Sequence, residues 1–152
     1  MQAEKKVKEL GINVPKGSKA LAMYVPAAES CGCVYVSGQG PFVSGSPKYT
    51  GKVGADINEE QAQDAAKVCA VNMLSAVKAQ IGSLDKVRRV VNIQVFVNSA
   101  EGFNRQHVVA DAASQLLFDV FGESGRHART AVGVSQLPLD IPVEINGIFE
   151  IG

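Results

Sequence analysis

Apolar and polar positions along this chain repeat with two periods, and the switches between them mark out the elements. From 59 to 81, Ala62, Ala66, Cys69, Met73, Ala76 and Val77 recur at helical spacing. Asn58 stands where an N-cap belongs, and Gln61 three residues later completes a capping-box spacing. The face is apolar but small, which suits close packing on a sheet, and Gly82 stops the helix. Residues 83–85 then make a turn. Residues 87–97 (VRRVVNIQVFV) switch to a period of two. Val91, Ile93, Val95 and Val97 form one aliphatic side, expected to pack on helices, while Val90, Asn92, Gln94 and Phe96 form the other. Helical spacing returns over 104–121 through Val108, Ala112, Leu116 and the Phe118–Phe121 stretch.

The ends of the chain read in the same way. Residues 3–10 (AEKKVKEL) predict a short helix ended by Gly11. Residues 20–25 and 33–39 predict two strands, joined as a hairpin by PAAESCG. The Gly- and Pro-rich stretch 38–54 is a loop long enough to suggest a working one. Residues 128–136 and 142–150 predict a closing hairpin that turns at LPLD. The order of helix, two strands, long helix, strand, helix and two strands predicts an α+β layer: a mixed sheet with helices packed on one face. Residues 1–152 form one domain, with 1–18 as an N-terminal helix and loop extension. A sheet covered on one face leaves the other for water or another subunit.

Composition narrows the function classes. Lys+Arg and Asp+Glu number 15 each, which disfavours a dedicated nucleic-acid binder, since such a protein needs a basic surface to neutralise phosphates. KVRR (86–89) is the one compact basic run, expected at the start of a strand and solvated. Cys31, Cys33 and Cys69 make neither a disulfide framework nor a metal motif, and Cys31-Gly-Cys33 reads as a tight turn between strands. No apolar run is long enough to span a bilayer, and the N-terminus lacks the apolar core of a secretory signal. The expectation is a cytoplasmic protein with no membrane partner and no metal.

The closing segment carries the candidate chemistry. Alternation sets Thr130, Val132, Val134 and Gln136 on one side of the first strand and Arg129, Ala131, Gly133 and Ser135 on the other. In the second strand Val143, Ile145, Gly147 and Phe149 share a side opposite Glu144, Asn146 and Ile148. The aliphatic sides are expected under the helices, so Arg129 and Glu144 are expected together on the helix-free face. Small residues at 131, 133 and 135 would let a neighbouring subunit, a ligand or both come close. Arg129 has two readings, a surface or interface ion pair and an anion receptor that grips a carboxylate through two parallel hydrogen bonds. Glu144 could hold a water or move a proton nearby. His127 is either a loop residue at the strand entrance or a proton carrier near neutral pH.

Four stretches in order resemble the Rid family, also called YjgF, of enamine/imine deaminases: VYVSGQGP (34–41), NIQVFVNSAEGF (92–103), HARTAVGVSQLP (127–138) and VEI (143–145). The resemblance covers roughly residues 20–150. It implies a chorismate-mutase-like fold and a homotrimer with clefts lined by two chains. It implies hydrolysis of reactive 2-imino or enamine acids to 2-keto acids and ammonia, with no metal or organic cofactor. Residue by residue, Arg129 matches the carboxylate-binding arginine and Glu144 the glutamate that positions water. Tyr24, Ser37 and Gly38 match cleft residues, with Tyr24 shaping the cleft or donating a hydrogen bond. Ala131 stands where close relatives often carry Cys, and its backbone would border the substrate nitrogen. His107 stands at a helix position that is often Asn. These departures, the 121–127 loop and the N-terminal helix mark a divergent branch. The competing function is a non-catalytic trimeric protein that binds small carboxylate metabolites. A ribonuclease, the other activity attached to the family, is disfavoured by the neutral charge.

Overall fold

The computed structural model describes residues 2–17 and 22–152. Its elements in chain order are α1 (Ala3–Glu9), β1 (Ala27–Ser30), β2 (Cys33–Gln39), β3 (Phe42–Val43), β4 (Ser46–Pro47), α2 (Glu59–Ile81), β5 (Val87–Asn98), α3 (Gln106–Phe121), β6 (Ala128–Val134) and β7 (Val143–Ile151). Five strands form one mixed sheet in the order β1-β2-β7-β5-β6, and β3 and β4 pair as a separate miniature hairpin. The expected α+β class holds, with α2 and α3 covering one face of the sheet.

Local signals place the helix ends. The Asn58 side chain accepts from the Gln61 N–H at 2.8 Å while the Gln61 side chain accepts from the Asn58 N–H at 3.0 Å, closing the capping box. On α2, Ala62, Ala66, Cys69, Met73 and Val77 are fully buried, and the small residues let the helix lie close on the sheet. Gly11 closes α1 in a left-handed conformation, with Ile12 N–H donating to Val7 and Gly11 N–H donating to Lys8. Glu4 then ties α1 to the body: its carboxylate accepts from Lys78 Nζ at 2.8 Å and from the Leu84 N–H at 2.9 Å. Lys86, Arg88 and Arg89 are exposed, so the KVRR run is solvated as expected.

Three expectations need correction. Residues 18–21 lie outside the described residues, and 22–26 form bends and coil, not strand; β1 begins at Ala27, after Pro26. Cys31 and Gly32, both with positive φ, supply the two-residue turn between β1 and β2. The second correction concerns β5. Irregularities between Val87 and Arg89 and between Val90 and Asn92 flip the alternation, so Val87 and Val90 point inward with Ile93, Val95 and Val97, and Val91 is exposed.

The third correction is topological. β6 and β7 are not a hairpin, because β5 lies between them, parallel to β6 and antiparallel to β7. The segment after β6 therefore crosses the end of β5. Leu139 and Asp140 take positive φ there, and fully buried Asn98 anchors the crossing, its amide donating to Asp140 Oδ1 at 3.2 Å and to the Ile141 carbonyl at 3.3 Å. Lys52 Nζ donates to Asn98 Oδ1 at 2.9 Å and also to the Ser135 carbonyl. The loop 38–54 is thus built in: Asn72 on α2 donates to the carbonyls of Gly40 and Phe42 at 2.9 and 3.1 Å.

Candidate functional site

Register decides where the candidate residues face. Partners across a sheet share a face, and Arg129 pairs with the fully buried Ile93. Arg129 therefore points to the helix side of edge strand β6, not to the open face. Glu144 pairs with Phe96, one step out of phase with the inward Val95 and Val97, and so belongs to the open face. Two strand spacings sideways and three residues along put their Cα atoms about 14 Å apart. The expected common face is absent within one chain. The small residues follow the same logic. Ala131 packs against the core, and a Cβ at Gly133 would meet Gln106 Nε2 at 2.7 Å and Ser99 Oγ at 2.9 Å. The space left by Gly133 is taken by these two side chains of the same chain.

At the Arg129 end, an open groove of about 650 Å³ is lined by α3, the segment after it and the start of β6. Arg129 Nη1 donates to Asp111 Oδ1 at 2.8 Å and to Ser114 Oγ at 3.1 Å, and Nη2 makes a long 3.5 Å contact to the His107 carbonyl. His107 thus meets Arg129 through its backbone, while its residue as a whole is exposed. A guanidinium has five N–H donors. Nε–H and one Nη2–H remain unengaged among the described residues, and that edge can take a carboxylate side-on. Asp111 is mostly exposed, which makes it a replaceable partner.

Behind Arg129 sits a pair that no sequence motif announced. His127 is half-buried, with Nδ1 2.6 Å from the Gly125 carbonyl and Nε2 3.0 Å from Ser114 Oγ. A carbonyl only accepts, so Nδ1 carries the proton and Nε2 is the acceptor for the Ser114 hydroxyl. Burial holds the His127 pKa below its ordinary value, and Arg129 nearby adds to this. The chain of hydrogen bonds runs from Arg129 to Ser114, to His127 and to Gly125. Asp111 and Ser114 lie three residues apart on one face of α3, a spacing too common to read as a signal.

The other expected residues gather at the Glu144 end. Pairing of β2 with β7 is irregular between Val36 and Gln39, and this bulge carries Ser37 and Gly38. A Cβ at Gly38 would lie 2.8 Å from Glu144 Cδ, so only glycine lets the carboxylate rest against that backbone. Ser37 Oγ donates to the Val25 carbonyl at 2.7 Å and its N–H to the Pro26 carbonyl at 2.9 Å, which ties the Tyr24 segment to the bulge. Tyr24 is exposed. Burial pushes the Glu144 carboxyl above its ordinary range, and among the described residues no cation or hydrogen-bond donor opposes the shift. The structure brings Tyr24, Ser37, Gly38 and Glu144 to one region, and Arg129, Ala131 and the His107 carbonyl to another.

A family model described as "YjgF/chorismate mutase-like, putative endoribonuclease" matches residues 4–146. The chain belongs to this YjgF/chorismate mutase-like family. The Trypanosoma cruzi protein TCP17 is 42% identical over 146 residues, which cover 95% of this chain and 91% of that protein. A protein of unknown function from Agrobacterium tumefaciens, Atu1372, is 47% identical with a TM-score of 0.92, over 99% of this chain and 92% of that one. A Shewanella oneidensis "putative endoribonuclease" has a TM-score of 0.95 at 25% identity, over 99% and 100% of the two chains. No helix among the described residues is long and apolar enough to cross a membrane.

Proposed function

We propose that this protein hydrolyses reactive 2-imino or enamine acids to 2-keto acids and ammonia. One observation carries the reading: Arg129 is fixed at the wall of an open groove with its carboxylate-binding edge unspent. The substrate carboxylate binds there side-on, through charged hydrogen bonds that contribute roughly 1.5–3 kcal/mol each. Imines are electrophilic at C2, so held water suffices and no covalent nucleophile is required. Glu144, half-buried against Gly38 and without an ion-pair partner among the described residues, is suited to orient that water.

Because Arg129 and Glu144 face opposite sides of one sheet, the reading requires two copies of the chain. Arg129 with Ala131 would come from one copy, and Glu144 with Tyr24, Ser37 and Gly38 from its neighbour. A homotrimer with three such clefts satisfies this and uses the exposed Tyr35 and Val132 of the open face as contact surface. The test is keto acid release from freshly generated 2-iminopropionate, with Arg129→Ala and Glu144→Gln alongside. Acceleration that disappears with Arg129→Ala is the expected result, and equal rates in that variant would overturn the reading. Binding of keto acids without acceleration of any imine would leave a carboxylate-binding protein. RNA cleavage that survives Arg129→Ala and stringent purification would point to the ribonuclease named in the family description.

A further inference from the structure

We infer that Ser114 and His127 form the proton-transfer pair of the Arg129 site, Ser114 as a catalytic residue at the substrate and His127 as the base behind it. The inference rests on the imine-hydrolysis reading and adds the groups that move its protons. Three observations carry it. Ser114 Oγ is 3.1 Å from Arg129 Nη1 on the wall of the same groove, so an imino acid that lies along the groove from the Arg129 guanidinium reaches the hydroxyl. The same oxygen is 3.0 Å from His127 Nε2. His127 is in turn locked in the tautomer that leaves Nε2 free to accept, by its 2.6 Å bond to the Gly125 carbonyl. A hydroxyl, a base within hydrogen-bond reach and a third group that orients the base make the arrangement from which side-chain proton transfer is built. All three line the groove together with Arg129. Arg129 and Arg126 flank His127 from its own segment, and Asp111 on α3 lines the same groove and is paired with Arg129, while Arg126 is itself paired with Glu123 at 3.2 Å.

The chemistry balances without a further reactant. Water adds to C2 of the protonated imine and its oxygen–carbon bond forms as the C=N π pair moves to nitrogen. The proton released from the water passes to Ser114 Oγ as the Ser114 proton passes to His127 Nε2. The imidazolium then returns a proton through Ser114 to the amino nitrogen. The C–N bond breaks, the hydroxyl proton follows the departing ammonia, and keto acid and ammonium remain. Ser114 and His127 end as they began.

The experiment is steady-state keto acid release from 2-iminopropionate between pH 5 and 9, by wild type, Ser114→Ala, Ser114→Thr, His127→Gln and Arg129→Ala. Circular dichroism checks that each variant is folded. Wild-type kcat should fall on the acid side as His127 takes its proton, at a pH below the ordinary histidine value. Ser114→Ala and His127→Gln should lower kcat by about 10²–10⁴-fold with KM changed only a few-fold. His127→Gln should also lose the acid limb, and Ser114→Thr should recover much of the rate. Unchanged kcat and pH profile in both variants, while Arg129→Ala abolishes turnover, would overturn the pair and leave the deaminase reading standing. A rise in KM alone would also overturn it, since the pair would then only position Arg129. Failure of the deaminase reading looks different: wild type gives no acceleration, and this proposal falls with it.

Discussion

The Arg129 end and the Glu144 end of this molecule are opposites in how their charges are kept. Arg129 is held by Asp111, Ser114 and the His107 carbonyl, so its position is set before any ligand arrives. Glu144 has no such support among the described residues; its carboxylate rests against the Gly38 backbone, and burial raises its pKa. A braced cation is what a receptor needs, because little ordering remains to be done on binding. An unbraced, partly desolvated carboxylate is what a proton or water handler needs, because its interactions are saved for the reacting group. The two ends are complementary halves separated by the sheet itself.

The sharpest break is Arg129→Ala. Loss of two charged hydrogen bonds should lower kcat/KM by roughly 10²–10⁴-fold, with an unchanged circular dichroism spectrum, since the exposed Asp111 left behind is rehydrated. Glu144→Gln should follow, with a fall in kcat of about 10²-fold. The same variant tests the pKa argument through stability. The folded-state pKa of Glu144 lies above its unfolded value, so the folded state holds the proton longer. Stability is then lost as pH rises from the ordinary glutamate value through the raised one, and that loss persists at neutral pH. Glu144→Gln should therefore raise Tm at pH 7.5 and leave it nearly unchanged at pH 4, as scanning calorimetry can show.

Gly38→Ala pushes on the same carboxylate without removing it. The new Cβ would sit 2.8 Å from Glu144 Cδ and displace it, so activity should drop by tens of fold while the Arg129 end still binds a keto acid in titration calorimetry. Asn58→Ala supplies the comparison away from both ends. It should cost about 1 kcal/mol in urea unfolding by removing the capping box, with no change in kcat. Smallest of all, Asp111→Asn should change stability by less than ~1 kcal/mol, as expected for a largely exposed ion pair. A larger loss there would show that the bracing of Arg129 is a fold requirement.

What the sequence by itself determined is the set of features whose energy is local. Asn58 with Gln61, the Gly11 stop, the Cys31-Gly32 turn and the buried face of α2 all follow from contacts within a few residues. The α+β class was legible for the same reason, as were Arg129 and Glu144 as candidates. In the expected strand 20–25, the described residues 22–25 are not strand, because propensity marks β-rich residues and not their partners; β1 pairs with β2 from Ala27. What tertiary structure alone decided is which strand lies between which, and which way each residue faces. β5 enters between β6 and β7 because α3 returns the chain parallel to β5 on its outer edge, a choice made by packing over dozens of residues. One irregularity in β5 then reverses which valine is buried. Arg129 thereby meets Ser114 and His127 on the helix side instead of Glu144 on the open one, because strand pairing is a long-range contact and side-chain direction has a period of two.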